Sequence, residues 1–273
     1  MKFSIAMPCL NADRFIDAAI KSVAGQTYND WELIVVDGGS SDGTVNIVRS
    51  WVEKNFNIKL ITLPGSSIYE AIFAAFSVAK GKVLSWLNAD DLYAHDALSI
   101  LSPYFKSEKN HQWVTGLPTI LDSNGDQCCV YPHVKRPRFF IRKGAFNPNF
   151  LNCIQAESTF FTAELFGRLS EEDKAEISSL KLAGDFLLWR KFAKFSSLYS
   201  LPHVVGGFRI HGENKSLRES AAYREEVASM GAWCFTPKTA HRIQQIYRFL
   251  TLTRGFAAAE RKNRALNERL EIK

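Results

Sequence analysis

The sequence predicts an α/β fold, with a mainly parallel sheet flanked by helices, a small mixed β part and C-terminal helices. Over the first hundred residues, segments of strand type alternate four times with segments of helical spacing, a pattern typical of parallel sheets. From residue 112 the alternation stops, and shorter strands, turns and helices are expected. Because 46% of the 273 residues are hydrophobic, the chain can bury a substantial core.

The first half of the chain supplies the four strand–helix units in order. The predicted strands are FSIAMP, WELIVVDGG, IKLITLP and KVLSWLN. The predicted helices are ADRFIDAAIKSVAGQ, TVNIVRSWVEKN, IYEAIFAAFSVAKG and HDALSILSPYF, with Gly25 and Gly81 expected to end the first and third. Ligands bind at the carboxyl ends of such strands. Chemistry is therefore expected in PCLNAD, DGGSSDGT and NADD, which stand at those ends.

The second half predicts smaller elements. QWVTGLPTILDSNGDQCCVYP indicates two strands around Asn124-Gly125, a dipeptide typical of hairpins. KRPRFFIRKGAFNPNF is basic and aromatic and is expected to be a loop that influences specificity. LAGDFLLWRKFAKF predicts an amphipathic helix, and LYSLPHVVGGFRIHG a strand, a turn and a strand. We expect one domain over residues 1–215 and a basic helical extension over residues 216–273.

Charge and cysteine content limit the partners and the compartment. The net charge of +6 favours an anionic partner, such as nucleotide phosphates, an acidic lipid surface or nucleic acid. Nucleic acid is disfavoured because the acidic residues at the strand ends would repel its phosphates unless a metal is bound. Five irregularly spaced cysteines argue against disulfides and zinc. Without a signal-like or membrane-spanning run, we expect a cytoplasmic protein, with peripheral contact at the inner face of the membrane as an open alternative.

The motif VVDGGSSDGT has two interpretations. In the first, the glycines form a turn and Ser40, Ser41 or Asp42 caps the next helix. In the second, Asp37 lies at the carboxyl edge of the sheet and accepts hydrogen bonds from a nucleotide base or ribose. Neither GxGxxG nor a Walker loop is present, so dinucleotide and P-loop interpretations are weak.

The motif LNADD also has two interpretations. Asp91 or Asp96 can favour the start of a helix. Alternatively, Asp90, with Asp91 as a second ligand, binds Mg²⁺ or Mn²⁺, because hard divalent cations prefer carboxylate and phosphate oxygens. A cation bridging a diphosphate would neutralise a leaving group.

Two further motifs add titratable groups. Asp185 in LAGDFLLWRKF lies among apolar residues, which can raise the pKa of a carboxyl group towards values useful for a general base. A solvated helix start is the alternative. In GGFRIHGENKS, Arg209, His211 and Lys215 supply cationic or metal-binding groups near glycines, although a lone histidine is more often structural.

The ordered motifs together resemble the family 2 glycosyltransferases of GT-A fold, over about residues 4–216. They are SIAMPCLNADRFIDAAIKSVAGQTYNDWELIVVDGGSSDGT, IYEAI, AKGKVLSWLNADDLY, QAESTFF, AGDFLLWRKF and FRIHGENKS. The resemblance implies a Rossmann-like sheet of GT-A type. It also implies a nucleoside-diphosphate sugar donor, usually UDP- or GDP-linked, and inversion at the anomeric carbon. Residues 1–111 would form the nucleotide-binding half and residues 112–215 the acceptor-binding half.

The resemblance implies roles for individual residues. The nucleotide-sugar site would include Pro8, Asn11, Asp37, Asn88, Ala89 and Asp90. The divalent cation, Mn²⁺ or Mg²⁺, would be held by Asp90, Asp91 and His211. Asp185 falls where the family places its general base, which deprotonates the acceptor hydroxyl.

The sequence departs from the family pattern at four places, one of which is Leu187, where a second acidic residue is common. Asn88 replaces the first Asp of the common DxD motif, and Gly65 and Ser67 replace an acidic residue and a glycine. These departures motivate an alternative, a non-catalytic protein that binds nucleotide sugar or a partner. A nucleotidyltransferase is disfavoured because PCLNADRF is neither glycine-rich nor basic.

The C-terminal segment is basic, with nine Lys or Arg and three Glu between Pro237 and Lys273. One interpretation is a helix packed on the main domain with a solvated basic face. The other is docking on anionic lipid, where a glycan or lipid-linked acceptor would be presented, as in polysaccharide or glycolipid assembly.

Overall fold

The computed structural model describes residues 1–107, 111–233, 235 and 237–251. In these ranges the strands are β1 Phe3–Cys9, β2 Trp31–Asp37, β3 Ile58–Thr62, β4 Val83–Trp86, β5 Leu92–Tyr93, β6 Trp113–Thr115, β7 Thr119–Leu121, β8 Gln127–Val130, β9 Thr159–Thr162, β10 Tyr199–Ser200 and β11 Gly206–Arg209. The helices are α1 Ile16–Ala24, α2 Thr44–Lys54, α3 Ile68–Ser77, α4 Ala97–Lys106, α5 Arg138–Arg142, α6 Ala163–Phe166, α7 Glu171–Ser179, α8 Gly184–Phe192, α9 Lys215–Arg218, α10 Ser220–Ser229 and α11 Pro237–Thr251.

The large sheet has the strand order β10-β6-β9-β4-β1-β2-β3. β1 pairs in parallel with both β2 and β4, and β2 pairs in parallel with β3, which confirms the predicted parallel sheet. β9 runs antiparallel to its neighbours β4 and β6. The second half of the chain therefore extends the sheet that the first half begins.

The central strands are buried on both faces because their side chains alternate between two cores. β1 and β2 are buried at every residue. Ile34 and Val36 belong to the cluster that contains α3, whereas Leu33 and Val35 belong to the cluster that contains α1 and α4. Helices therefore cover both faces, as the continuous apolar strands predicted.

Two predicted helix ends have different outcomes. α1 ends at Ala24 and is followed by Gly25, as expected. α3 begins with a capping box between Ser67 and Glu70 but ends at Ser77, so the predicted end at Gly81 is wrong. Gly81 serves close packing instead, because a Cβ there would lie 2.6 Å from the backbone nitrogen of Ser4.

A smaller mixed sheet has the order β5-β11-β7-β8. The hairpin around Asn124-Gly125 is confirmed as β7 and β8, but the predicted first strand is divided, because β6 joins the large sheet. Gly206 and Gly207 were predicted in a turn and lie in strand β11. A Cβ on Gly206 would lie 2.1 Å from the carbonyl oxygen of Glu157, so this strand needs glycine for close approach.

Helices follow in the C-terminal part of the described chain. Tyr223 and Val227 of α10 pack against Ala183 and Phe186, and α11 packs through Ala240 in another cluster. The basic segment predicted to be a loop contains the short helix α5. The predicted helix beyond residue 251 lies outside the described residues. None of the described helices is long and apolar enough to cross a membrane.

Candidate functional site

The loops that follow β1, β2 and β4 meet at one edge of the large sheet. Cys9 and Asp37, the last residues of β1 and β2, are direct partners in the parallel register. β4 lies on the other side of β1, and Asn88 follows it after one further residue. Pro8 is buried in β1 opposite Val36. The three predicted motifs therefore come together, as parallel strand ends require.

Asp37 and Asn11 organise this edge through backbone groups. The buried Asp37 carboxylate accepts hydrogen bonds from the amides of Gly39 and Ser40, at 3.1 Å each to Oδ2. Asn11 has a φ of 51°, and its Oδ1 accepts a hydrogen bond from the Ser41 amide over 2.9 Å. These bonds join the loops after β1 and β2. The expected serine cap of α2 is wrong, since its N-cap is Gly43, whereas Asp42 does engage the start of α2 by accepting a hydrogen bond from the Thr44 amide over 2.9 Å.

Asp90 and His211 form the centre of the candidate metal site. His211 Nε2 lies 3.0 Å from Asp90 Oδ2, and the Asp90 side chain is 30% exposed. Asn214 fixes the loop, because its Oδ1 accepts a hydrogen bond from the His211 amide and its Nδ2 donates to the Arg209 carbonyl. Ala89, beside Asp90, is buried in the core.

Asp91 occupies a different environment from Asp90. It is fully buried, and burial raises its pKa well above the usual range, with the charge of Asp90 adding to the effect. Its Oδ2 accepts a hydrogen bond from Asn88 Nδ2 over 3.0 Å, and its Oδ1 accepts one from the Arg209 amide over 2.9 Å. Asp91 thus connects the NADD turn to β11. It does not begin α4, whose N-cap is Asp96.

Phe15 lies against three groups of this edge. Its ring centroid is 4.1 Å from that of His211, and the guanidinium carbons of Arg14 and Arg209 lie 5.1 Å and 5.3 Å from it. Arg209 is buried, and its Nε and Nη2 have no hydrogen-bond partner among the described residues. Unpaired guanidinium nitrogens beside a cleft are suited to an anionic ligand.

The pair Asp90–His211 fits a divalent cation as two of its ligands. The 3.0 Å between His211 Nε2 and Asp90 Oδ2 is a hydrogen-bond distance, and Asn214 Nδ2 also lies 3.0 Å from His211 Nε2. Neighbouring ligands of an octahedral cation at about 2.1 Å are likewise about 3.0 Å apart, so the pair could hold a cation in exchange for its hydrogen bond. No cluster of three or more His, Cys, Asp or Glu suited to a metal occurs among the described residues. The remaining ligands would therefore be phosphate oxygens and water, the usual arrangement for Mg²⁺ with a phosphorylated substrate.

Asp185 stands in the first turn of α8 and is partly shielded from water by apolar neighbours. Burial raises the pKa of Asp185 to about 6, against the lowering effects of the hydrogen bonds it accepts from the Phe186 amide and the Tyr223 hydroxyl. This direction agrees with the prediction from its apolar neighbours. A carboxylate with a pKa near 6 is ionised at neutral pH and can still take up a proton.

Tyr69 positions the start of α8. Its hydroxyl donates to the Leu182 carbonyl over 2.7 Å and accepts from the Asp185 amide over 3.1 Å. Gly184 allows the contact, since a Cβ there would lie 2.5 Å from the Tyr69 ring. The IYEAI motif on α3 thus supports the predicted base directly.

Helix α10 contributes two residues that the sequence did not indicate. Tyr223 donates a hydrogen bond to Asp185 Oδ1 over 3.2 Å. Glu226 accepts hydrogen bonds from three consecutive amides, those of Lys181, Leu182 and Ala183, at 3.0, 3.0 and 2.9 Å. Both belong to the extension after residue 215, for which the sequence predicts helices and basic charge but no part in the site.

Glu157 is a third residue that sequence reasoning missed. It is buried, and within the described part of the chain its Oε1 has no hydrogen-bond partner. It interacts electrostatically with both Asp185 and Asp90. Burial raises the pKa of Glu157 to about 8, and these two carboxylates add to the effect. The indication available beforehand was an acidic residue within the apolar segment QAESTFF.

Comparisons with known proteins identify the family of the chain. The family model for glycosyl transferase family 2 matches residues 4–161, more than half of the chain. An uncharacterized glycosyltransferase of Rickettsia prowazekii is 27% identical over 227 residues, covering 81% of this chain and 69% of the relative. A PGL/p-HBAD biosynthesis glycosyltransferase of Mycobacterium bovis is 34% identical over 117 residues, covering 42% of this chain and 45% of the relative. The aligned region is thus under half of the mycobacterial relative.

Solved structures share the fold at low sequence identity. TarS of S. aureus in complex with UDP-GlcNAc has a TM-score of 0.63 at 18% identity, covering 94% of this chain and 76% of that chain. The mannosyltransferase PcManGT of Pyrobaculum calidifontis in complex with GDP-Man and Mn²⁺ has a TM-score of 0.59 at 18% identity, covering 97% and 79%. The GT-A architecture is therefore confirmed, and with the family match it establishes that the chain is a glycosyltransferase belonging to family 2.

Proposed function

We propose that the protein transfers a sugar from a UDP- or GDP-linked donor to an acceptor hydroxyl, with inversion and with help from a divalent cation. The observation that carries the proposal is the contrast between two carboxylates that share Glu157 as a neighbour. Both carboxylates are partly exposed, but Asp90 is paired with His211, whereas desolvation by the surrounding core raises the pKa of Asp185 to about 6. Displacement at a sugar carbon needs one group for the leaving phosphate and a separate base for the acceptor.

Asp185 acts as the base in this proposal. It takes the proton of the acceptor hydroxyl while that oxygen forms a bond to the anomeric carbon. The bond between this carbon and the phosphate oxygen breaks, and the electron pair leaves with the nucleoside diphosphate. Tyr223 and the Phe186 amide keep one carboxylate oxygen engaged, so Oδ2 is the atom assigned to receive the proton.

Asp90 and His211 hold the cation on the leaving-group side. When bound, Mn²⁺ or Mg²⁺ would neutralise charge on the diphosphate. Arg209 supplies a further buried positive charge at this edge. Asp91, predicted as a second ligand, has both oxygens engaged with Asn88 and Arg209. We therefore assign Asp91 to positioning of the metal site and keep Asp90 and His211 as its ligands.

The nucleotide would lie along the loops after β1 and β2, beside Pro8, Asn11 and Asp37. The neighbours that bind UDP-GlcNAc and GDP-Man support a nucleotide-sugar donor of this kind. Residues 1–111 are proposed as the nucleotide-binding half and residues 112–215 as the acceptor-binding half. The mycobacterial relative is named for PGL/p-HBAD biosynthesis, which supports a role in glycolipid or polysaccharide assembly.

Contact with an anionic membrane is a separate part of the proposal. On α11, Arg242 and Ile246 are exposed, and Ile246 is 60% accessible, whereas Ala240 and Tyr247 are buried against the domain. A basic and apolar outer surface suits an acidic lipid headgroup layer. Flotation with phosphatidylglycerol vesicles would test this. The double substitution Arg242→Glu and Ile246→Asp replaces the positive charge and the apolar side chain by negative charges. It should abolish lipid binding, and unchanged flotation would refute the contact.

A thermal-shift panel of UDP- and GDP-sugars, with and without Mn²⁺, tests the donor. A donor at a hundred times its dissociation constant should stabilise the protein by about 2.7 kcal/mol, and Mn²⁺ should strengthen the shift. NMR of the product formed from that donor and a set of glycan acceptors then reports the anomeric configuration. Retention of configuration would refute inversion, and the absence of any donor-dependent shift would refute the whole proposal.

The non-catalytic alternative predicts a different result from the same panel. It predicts donor binding without release of nucleoside diphosphate under any metal condition. Asp185→Asn separates the cases, because in an active enzyme it should keep the thermal shift and lose turnover.

A further inference from the structure

A cavity of about 310 Å³ lies in the second half of the protein, apart from the nucleotide edge. Much of its wall is apolar or aromatic and comes from Pro118, Ile120, Tyr131, Pro148 and Leu151. Pockets that bind small molecules combine such a wall with a few polar groups that fix orientation. Arg136 is the charged residue in this wall.

Arg136 is buried, and no Asp or Glu among the described residues forms an ion pair with it. It is 6% exposed, its Nη1 donates to Ser200 Oγ over 3.1 Å, and its guanidinium carbon lies 6.0 Å from the Phe146 ring centroid. Its Nε has no hydrogen-bond partner in the ranges that the structure describes. Burial lowers the pKa of Arg136 to about 10, so the guanidinium still carries its charge at neutral pH.

An unpaired buried cation is costly, and an anion is the usual remedy. Removing an ion from water costs several kcal/mol, which a bound oxyanion offsets through charge-assisted hydrogen bonds. The surrounding segment, residues 133–143, contains five Lys or Arg and neither Asp nor Glu. Several positive charges in one segment favour a phosphate, with two negative charges, over a carboxylate with one.

The cavity lies close to the proposed base. Cys153 is part of its wall, and the Cys153 sulfur is 3.9 Å from the Tyr223 hydroxyl. That hydroxyl donates to Asp185 over 3.2 Å. Two side-chain contacts therefore connect the cavity to the carboxylate that would deprotonate an acceptor.

We propose that this cavity binds a phosphate ester carried by the acceptor, with Arg136 on the phosphate and Tyr131 against the attached ring or chain. The inference rests on the proposed function for its meaning, since it names the acceptor class of the same site. It assigns a use to the basic segment KRPRFF, which the chemistry at the sheet edge leaves without one.

Calorimetric titration of the full chain tests the site with defined probes. The probes are phenyl phosphate, glycerol 3-phosphate, inorganic phosphate, glucuronate and uncharged glycerol. We expect phenyl phosphate to bind most tightly, with at least a tenfold loss in Arg136→Met and less than a twofold change in Arg142→Met, an exposed control from the same segment. His211→Ala should retain binding, because the probe does not occupy the diphosphate site.

Contrary outcomes are distinct. Equal binding by Arg136→Met and the parent overturns the proposal, as does glucuronate binding more tightly than glycerol 3-phosphate. Inorganic phosphate binding as tightly as both esters would overturn recognition of an acceptor in favour of free phosphate. Nucleotide sugars that still shift the melting temperature in those cases would leave the proposed function standing. Binding of a phosphate ester at Arg136 without binding of any nucleotide sugar would support the cavity site and refute the proposed function.

A second variant keeps the test valid if Arg136→Met does not fold. Tyr131 is 38% exposed, so Tyr131→Ala should fold and should weaken phenyl phosphate at least threefold more than glycerol 3-phosphate. Equal effects on both esters would overturn the assigned role of Tyr131. If Arg136 serves a ligand, the unliganded Arg136→Met protein should melt within about 4 °C of the parent or above it.

Discussion

The hydroxyl of Tyr223 donates a hydrogen bond to Oδ1 of Asp185 over 3.2 Å, from a helix 38 residues further along the chain. Since a hydrogen bond to a carboxylate favours its ionised form, Tyr223 holds the pKa of Asp185 below the value that burial alone would impose. The proposed base is therefore adjusted by two opposing effects, one from the core and one from α10.

Tyr223→Phe should move the acidic limb of the rate profile to higher pH. Hydrogen bonds to charged groups contribute about 1.5–3 kcal/mol, equivalent to roughly 1–2 pH units. At pH 7 the rate should fall by about 2–10-fold and recover near pH 9, measured as nucleoside diphosphate release. Tyr199→Phe, on edge strand β10, is the matched control. An unchanged profile in Tyr223→Phe would contradict the assigned contact.

Asp185→Asn should abolish transfer and stabilise the protein at neutral pH. The folded pKa of about 6 exceeds the ordinary value of 3.8, so the folded state binds the proton more tightly than the unfolded state. Stability associated with this group is complete below pH 4 and is lost as pH rises through 6, by about 3 kcal/mol. Urea unfolding at pH 4 and pH 7.5 should show the variant gaining stability relative to the parent only at the higher pH. A loss of stability at pH 7.5 would refute the argument.

Asp90→Asn and His211→Ala should each weaken Mn²⁺ binding by at least tenfold in the presence of donor, measured by electron paramagnetic resonance of free Mn²⁺. His203→Ala changes an exposed histidine and serves as the control. Asp91→Asn should instead lower the melting temperature and leave Mn²⁺ affinity within about threefold, because its oxygens bind the chain. A tenfold loss of Mn²⁺ affinity in Asp91→Asn would restore Asp91 as a ligand.

Glu226→Gln should lower both stability and turnover while donor binding persists. The backbone amides of Leu182 and Ala183 both donate to Oε2 of Glu226, and that of Lys181 donates to Oε1. In glutamine one of these oxygens becomes an NH2 group, which donates and cannot accept. The expected loss is about 1–3 kcal/mol in urea unfolding. Glu225→Gln, one residue earlier and exposed, should behave like the parent. Equal effects of the two substitutions would show that charge alone is responsible.

Glu157→Gln should stabilise the protein most above pH 8. Glu157 has an ordinary pKa of 4.5 and a folded pKa of about 8, so its contribution to stability falls as pH rises between these values. Glutamine resembles the protonated acid and removes this dependence. The melting temperature of the parent should be lower at pH 9 than at pH 5. The difference between these two melting temperatures should be smaller in the variant. Parallel pH dependence in both proteins would place the titration elsewhere.

The parallel core could be predicted because strands buried on both faces are continuous apolar runs in the sequence. β1 and β2 are uninterrupted apolar runs, and the polar residues that follow them necessarily meet at one sheet edge. Asp37, Asp90 and Asp185 could thus be named in advance from position and neighbours. Gly81 and Gly206 were misassigned to a helix end and a turn because the need for glycine there comes from chain segments far away in sequence.

The residues that hydrogen-bond to the site residues could not be recognised from their neighbours in the sequence. The backbone amide of Arg209 donates a hydrogen bond to Asp91, which lies 118 residues earlier in the sequence. The sequence around either residue does not indicate the partner. The same holds for Tyr223 and Glu226 on α10, whose alanine-rich and glutamate-rich sequence is that of an ordinary surface helix. Tertiary contacts of single polar groups require coordinates, whereas periodic burial does not.

The carboxylate of Glu226 accepts hydrogen bonds from three backbone amides of the turn before α8, and this has a practical consequence. A protein cut after residue 215 would keep every catalytic and binding residue that the sequence singled out, and it would lose the groups that hold the base in place. The shortest active version of this enzyme should therefore include α10. With Asp185 as the proposed base, α10 belongs to the smallest unit expected to catalyse transfer, although its composition is that of an appendage.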